Sequence, residues 1–233
     1  MPKTAGTSFR ASLEAHFGAH FRHDYQDYPL AHPPAERRAQ ARRRGETARA
    51  TDFIDVDCVH GHFLPLKYLP LADSLPCTFV TWLREPVARL VSHYQYWLRA
   101  YDPGSALVSP LHRQVVEEGW SLERFCLAPQ LRNVYTEFLW GFPIERLDFI
   151  GITEFFADDL RYFSHEILGN KVCPQTLNRR PSGAGALLQA QLEGLDRPAI
   201  ERFHAADVAL YRRALERRAG RPGTPGEFGA GVL

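Results

Sequence analysis

The sequence predicts one α/β domain in which a parallel β-sheet carries helices on both faces. Three observations lead there. The 233 residues, 26.5 kDa, include 45% apolar and 24% charged side chains, enough for a packed core and unlike a disordered or fibrous chain. Short runs rich in β-formers alternate with stretches of helical periodicity. The runs at 77–83 and 147–152 read as strands buried on both faces.

In chain order, residues 1–8 read as a loop: Pro2 blocks helix, Gly6 permits a tight backbone, and Thr7 or Ser8 is placed to N-cap the first helix. That helix is expected from Phe9 to about Phe21, with Phe9, Leu13, Phe17 and Phe21 as one buried stripe. From His23 to Ala50 the chain is polar, holds Pro29, Pro33 and Pro34, and reads as a surface excursion. Residues 52–59 alternate, Ile54, Val56 and Cys58 against Asp55 and Asp57, which predicts a half-solvated strand ending at His60-Gly61-His62. Cys77–Leu83 is a buried strand stopped by Arg84-Glu85-Pro86. Pro86 opens a helix with Val87, Leu90, Val91, Tyr94 and Leu98 on one side, running to about Tyr101 before Asp102-Pro103-Gly104. Helical patterns come next over 109–120, 121–127 and 130–140, then a strand at 147–152 and a helix at 154–168. A polar, basic loop is expected at Asn178–Gly185 and a long helix at Pro198–Arg218. Glycine and proline in quick succession then predict a disordered tail over 219–233, leaving residues 1–218 as the folded domain.

Charge and cysteine usage narrow the function. A formal net charge of +1 argues against coating nucleic acid or an anionic membrane, so nucleic acid is not an expected partner. Cys58, Cys77, Cys126 and Cys173 show no CxxC spacing and no Cys/His cluster; buried reduced thiols are expected. No apolar run reaches the roughly 20 residues that span a bilayer, and no secretory signal opens the chain, so a soluble, cytoplasmic protein is expected. Lys3, Lys67 and Lys171 are the only lysines among 28 basic residues, so a lysine here is a non-default choice.

Two segments carry anion-binding chemistry. Pro2-Lys3-Thr4-Ala5-Gly6-Thr7-Ser8 opens onto a helix and combines backbone N–H groups, small hydroxyls, a helix N-terminus and an ammonium. Lys3 precedes Gly6 and no GxxxxGK[ST] string exists, which disfavours ordinary ATP or GTP use. The plainer reading is a helix start with a solvated lysine. Arg84 and Ser92, separated by a strand end and two helical turns, could share a second phosphate; alone, Arg84 reads as pairing with Glu85 or capping a neighbouring carbonyl and Ser92 as a helix surface residue. His60 and His62 fall at a strand's carboxyl end, where a base is useful; a metal pair lacks an evident third ligand. Asp55 and Asp57 could hold magnesium but read better as the wet face of their strand. Arg37, Arg38, Arg42, Arg43, Arg44 and Arg49 either attract an acidic acceptor or form a solvated helix with Glu36 and Glu46. Arg179 and Arg180 could close over a donor or lie in an exposed turn. Tyr94, Tyr96, Trp97 and Tyr101 offer a sugar-stacking wall or helix packing, and Asn133 and Trp140 acceptor contacts or scaffold.

Taken together, these strings resemble the sulfotransferases that use 3′-phosphoadenosine 5′-phosphosulfate (PAPS), and more narrowly their carbohydrate branch. PKTAGTSF at 2–9 resembles the 5′-phosphosulfate loop, REPVARLVSHY at 84–94 the 3′-phosphate motif, and VHGHF at 59–63 the histidine segment of glycosaminoglycan 2-O-sulfotransferases. FIGITEFF at 149–156 and DVALY at 207–211 are similar to later landmarks. The resemblance implies a three-layer fold like that of P-loop nucleotide kinases, with PAPS across the carboxyl ends of the strands. It also implies a carbohydrate hydroxyl as acceptor and no metal. It assigns Lys3, Thr4, Ala5, Gly6, Thr7 and Ser8 to the 5′-phosphosulfate, Arg84 and Ser92 to the 3′-phosphate, and His62, with His60, to the base. Lys3 would stabilise charge on the leaving group. In the family a buried strand precedes the loop, whereas Met1 stands directly before Pro2, so the sheet is expected to lack its central strand. That departure leaves a second reading, a catalytically silent nucleotide- or glycan-binding module of the same fold.

Overall fold

The computed structural model describes residues 1–27, 33–106, 108–169 and 192–222. Its strands form two parallel pairs. In the first, β1 (Phe21–Asp24) runs beside β2 (Cys58–Gly61), with Phe21 opposite Cys58 and Asp24 opposite Gly61. In the second, β3 (Val80–Leu83) runs beside β4 (Phe149–Ile152), with Val80 opposite Phe149 and Leu83 opposite Ile152. An α/β chain with parallel strands is therefore present. Among the described residues no third strand joins either pair, so in place of the one expected sheet there are two separate two-stranded sheets.

Helix α1 (Gly6–Phe17) starts earlier and ends earlier than its apolar stripe suggests. Gly18, at φ 52°, stops it, and the chain passes through a short 3-10 turn into β1, which carries Phe21. The reading of 23–50 as a surface excursion is corrected at both ends. The strand β1 opens it, and Pro34–Thr47 forms helix α2. The expected strand over 52–59 is likewise displaced. Asp52 accepts the Arg49 backbone N–H at 3.0 Å, closing a 3-10 turn at Ala50–Phe53 that leaves Ile54 77% exposed. The strand then starts only at Cys58. Gly61 is required at its end, since a Cβ there would stand 1.6 Å from the Asp24 carbonyl oxygen.

Helix α3 (Pro86–Ala100) begins at its proline, and the Glu85 carboxylate accepts the Val87 and Ala88 N–H groups at 3.1 and 2.7 Å. Val87, Leu90 and Val91 are buried as expected, but Leu98 is exposed and Tyr94 half-buried. The larger Trp97 takes the interior beside Phe125 and His112. Ser109 and Ser121 cap α4 (Pro110–Glu117) and α5 (Leu122–Cys126). The pattern over 130–140 yields only a 3-10 turn and α6 (Val134–Phe138), because Asn133 takes a left-handed conformation. Helix α7 (Phe156–Tyr162) runs into a π-helical turn at Phe163–Ile167. The expected helix over 198–218 is two, α8 (Arg197–Phe203) and α9 (Ala205–Ala219). His204 marks the break, its ring bonded to the Cys126 carbonyl and the Asn133 N–H. The loop at 178–185 with Arg179 and Arg180, Lys171, Cys173 and residues 223–233 lie outside the described residues.

Three apolar clusters hold these elements. One joins β3, β4, α6 and α9 through Leu83, Tyr135, Ile152 and Tyr211; a second joins α3, α4, α5 and α8. The third, around Phe9, Leu13, Trp82, Phe149 and Phe163, also touches Phe21 and Cys58 and so spans both strand pairs. Lys67, one of the rare lysines, is buried between Asp24 and Asp27. Among the described residues no helix is long and apolar enough to cross a membrane.

Candidate functional site

A cavity of about 2200 Å³ runs along the strands, lined by the whole of β2 (Cys58–Gly61) from one pair and by Val80–Trp82 of β3 from the other. Such a volume exceeds the roughly 300–1,000 Å³ of ordinary small-molecule pockets. The residues that the resemblance assigns to donor and base share it: Lys3, Thr4, Ala5, Gly6, Thr7, Ser8, His60, His62, Arg84 and Ser92 line its wall.

The loop before α1 is strained at two non-glycine residues, Lys3 at φ 63° and Ala5 at φ 59°. Gly6, expected to supply the tight backbone, is not at positive φ, and Thr7 and Ser8 do not cap the helix. Ala5 occupies the N-cap with no side-chain acceptor, and the first turn holds no acidic residue. The N–H groups that start α1 therefore meet the cavity without an internal anion. The Thr4 hydroxyl donates to the Met1 carbonyl at 2.9 Å, bracing the loop.

The Lys3 ammonium lies 4.0 Å from the Tyr96 ring centroid, and among the described residues no carboxylate is within ion-pair distance of it. Burial lowers its pKa to about 8, and the charges of Arg99 and Arg84 act in the same direction. Across the cavity, Arg84 is 6% exposed and its Nε stands 3.9 Å from Glu154 Oε1. Ser92 sits two turns into α3, and Arg99, two turns later, lines the same wall. Among the described residues, the charged side chains of the lining are thus Lys3, Arg10, Arg84 and Arg99 against Asp57 and Glu154.

His60 and His62 stand two apart along extended chain, and the His62 N–H donates to the Asp24 carbonyl at 2.9 Å, continuing the ladder past Gly61. His60 packs between Phe9 and Phe21, its Nδ1 buried without a hydrogen-bond partner among the described residues. His62 lies against Tyr25 and Phe138. Burial, then the Met1 amino group, lowers their pKa values to about 3 for His60 and about 2 for His62. Both are neutral imidazoles at pH 7.

Several candidate residues fall elsewhere. None of the arginines from Arg37 to Arg49 lines the cavity. Arg37 and Arg38 pair with Glu137, Arg38 and Arg42 stack on Trp140, and Arg44 reaches Asp27. Asp55 does not line the cavity, and no group of three metal-ligating side chains occurs among the described residues. Of the aromatic wall only Tyr96 reaches the site; Trp97 is core and Tyr94 bonds the Trp120 carbonyl.

Sequence reasoning missed Arg99, although its place seven residues after Ser92 puts it on the same helix face. It also missed Tyr135 and Glu154, which no periodicity marks. The chain matches no protein-family model, no curated protein and no solved structure.

Proposed function

We propose that the protein is a PAPS-dependent sulfotransferase acting on a carbohydrate hydroxyl, in which the two strand pairs belong to one three-layer, P-loop-like arrangement. The observation that carries this reading is the convergence of the Lys3–Ser8 loop and the Arg84/Ser92 pair on one cavity whose charged lining is mostly cationic. A nucleotide with a phosphate at each end of its ribose suits two separate cation sites. A triphosphate suits them less, since the sequence has no Walker string.

The residues then define the chemistry. The acceptor oxygen attacks sulfur in line, the bond from sulfur to the 5′-phosphate oxygen breaks, and the acceptor proton passes to His62. Lys3 and the α1 N–H groups compensate the charge left on the 5′-phosphate. Arg84 and Ser92 grip the 3′-phosphate and fix the donor's position. An imidazole at about 2 is a weak base, but the donor's negative charge in the same cavity raises it.

That low basicity also supports a second reading, a silent nucleotide-binding module. One experiment separates the readings. Thermal shifts with 3′-phosphoadenosine 5′-phosphate, 5′-AMP and ATP plus magnesium identify the ligand class, and labelled PAPS with an oligosaccharide panel then reports transfer. A shift with ATP and magnesium alone overturns both readings; a shift with the bisphosphate but no transfer across the panel leaves the silent module.

A further inference from the structure

We propose that helix α9 orients Arg84 for anion binding through two relays, with Tyr135 as the principal positioning residue and Glu154 as the second. The inference rests on the reading that Arg84 takes the 3′-phosphate. It gives a role to the Asp207-Val208-Ala209-Leu210-Tyr211 string, which reaches no ligand itself: neither Asp207 nor Tyr211 lines the cavity.

The first relay starts at Asp207, fully buried in the opening turn of α9. Its carboxylate accepts the N–H groups of Tyr135 and Thr136 at 3.0 Å each and the Thr136 hydroxyl at 3.1 Å. Helix α6 has no side-chain cap at its own left-handed Asn133, so Asp207 caps it from another helix and fixes where Tyr135 stands. The Tyr135 hydroxyl then donates to the Arg84 carbonyl at 2.8 Å and accepts the Arg84 N–H at 3.1 Å. Burial raises this phenol's pKa, which keeps the proton that the first of these bonds needs.

The second relay starts one turn further along α9. The Tyr211 hydroxyl donates to Glu154 Oε2 at 3.2 Å, while Glu154 Oε1 accepts the Glu85 N–H at 3.1 Å and faces Arg84 Nε. Thr153 adds a bond from its hydroxyl to the Leu83 carbonyl at 2.9 Å. Leu83, Arg84 and Glu85 are therefore each held by a side chain from outside their own segment.

Geometry makes these bonds orient Arg84 rather than merely fasten it. The strand β3 ends at Leu83 and α3 starts at Pro86, so Arg84 lies outside both ladders. One hydroxyl that binds both the N–H and the carbonyl of a single residue fixes the peptide planes on either side of its Cα. The Cα–Cβ direction is then set, and a planar guanidinium that binds phosphate in a bidentate way depends on that direction.

The test is calorimetric titration of the full chain with 3′-phosphoadenosine 5′-phosphate and with 5′-AMP, which lacks the 3′-phosphate. Tyr135→Phe removes both bonds to the Arg84 backbone; it is expected to weaken the bisphosphate about tenfold, the size of one hydrogen bond lost between a misplaced guanidinium and the phosphate, and to leave 5′-AMP within about twofold. Tyr211→Phe, a milder change, is expected to weaken the bisphosphate about threefold with 5′-AMP again unmoved, and it carries the test if Tyr135→Phe does not fold. Equal losses for both nucleotides, or unchanged bisphosphate affinity in the folded variant, overturn the relay. A wild-type chain that binds both nucleotides equally removes the 3′-phosphate role of Arg84 itself, and the relay with it.

Discussion

Lys67→Met tests the buried charge cluster that anchors the histidine wall. In the wild type the ammonium is 3% exposed, 2.6 Å from Asp27 Oδ2 and bonded to Asp24 as well. Asp27 is fully buried and also accepts the Leu64 N–H at 3.2 Å, while Tyr68 donates to Asp24 at 2.6 Å. Methionine keeps the volume and removes the cation, leaving two carboxylates beside each other with Arg44, at 3.3 Å from Asp27, and the more distant charge of Arg37 as counter-charges. Removing one partner of a buried ion pair costs about 3–5 kcal/mol. At roughly 2–4 °C per kcal/mol for a chain of this size, calorimetry at pH 7 should show Tm lower by about 6–20 °C. The pH dependence gives a second check. Burial works against ionisation of Asp24, yet Lys67 and Tyr68 hold its carboxyl below the ordinary value of 3.8. A depressed carboxyl stabilises the fold above its unfolded pKa, and that stabilisation is lost as pH falls through the folded one. The gap between wild type and variant should therefore narrow below about pH 4. A Tm change under about 2 °C at pH 7, or a gap that widens in acid, refutes the reasoning.

Three other outcomes are expected. Lys3→Ala should lower turnover about 10²- to 10³-fold, the usual effect of removing one donor to a developing charge. Because Lys3 titrates at about 8, wild-type affinity for the bisphosphate should fall as pH rises through that value, and a flat profile to about pH 9.5 contradicts the assignment. His62→Ala should cost about 10²- to 10⁴-fold in kcat while bisphosphate affinity stays within about twofold; unaltered turnover removes it as base. Arg89→Met should raise stability by about 1–3 kcal/mol, since the guanidinium is fully buried and none of its nitrogens has a hydrogen-bond partner among the described residues; a lower Tm would show that its contact with the Tyr135 ring, 5.3 Å away, matters more.

Local chemistry is legible wherever a residue constrains its own neighbourhood. Pro86 marks the start of α3, the apolar run before it contains β3, and the loop at 2–8 shares a cavity with Arg84 and the histidines. Illegible are features decided by distant partners. Arg22 and His23 are exposed on β1, so that strand lacks an apolar signature. The displacement of β2 depends on a single carboxylate, Asp52, closing a turn. His204 breaks the last helix because its ring bonds Cys126, 78 residues away. The scarcity of lysine does carry information: of the two described lysines, Lys67 is enclosed by carboxylates and Lys3 lines the cavity.

The division of the strands into two pairs has a mechanical consequence. No backbone ladder among the described residues fixes the separation of the histidine wall from the guanidinium wall, so that spacing depends on side-chain contact across the seam. Phe9 acts as the rivet, its ring centroid 6.2 Å from that of His60 on one half and 5.3 Å from that of Trp82 on the other. Hydrostatic pressure, which acts on internal voids, would therefore be expected to change the distance between His60 and Trp82 before it disturbed either ladder.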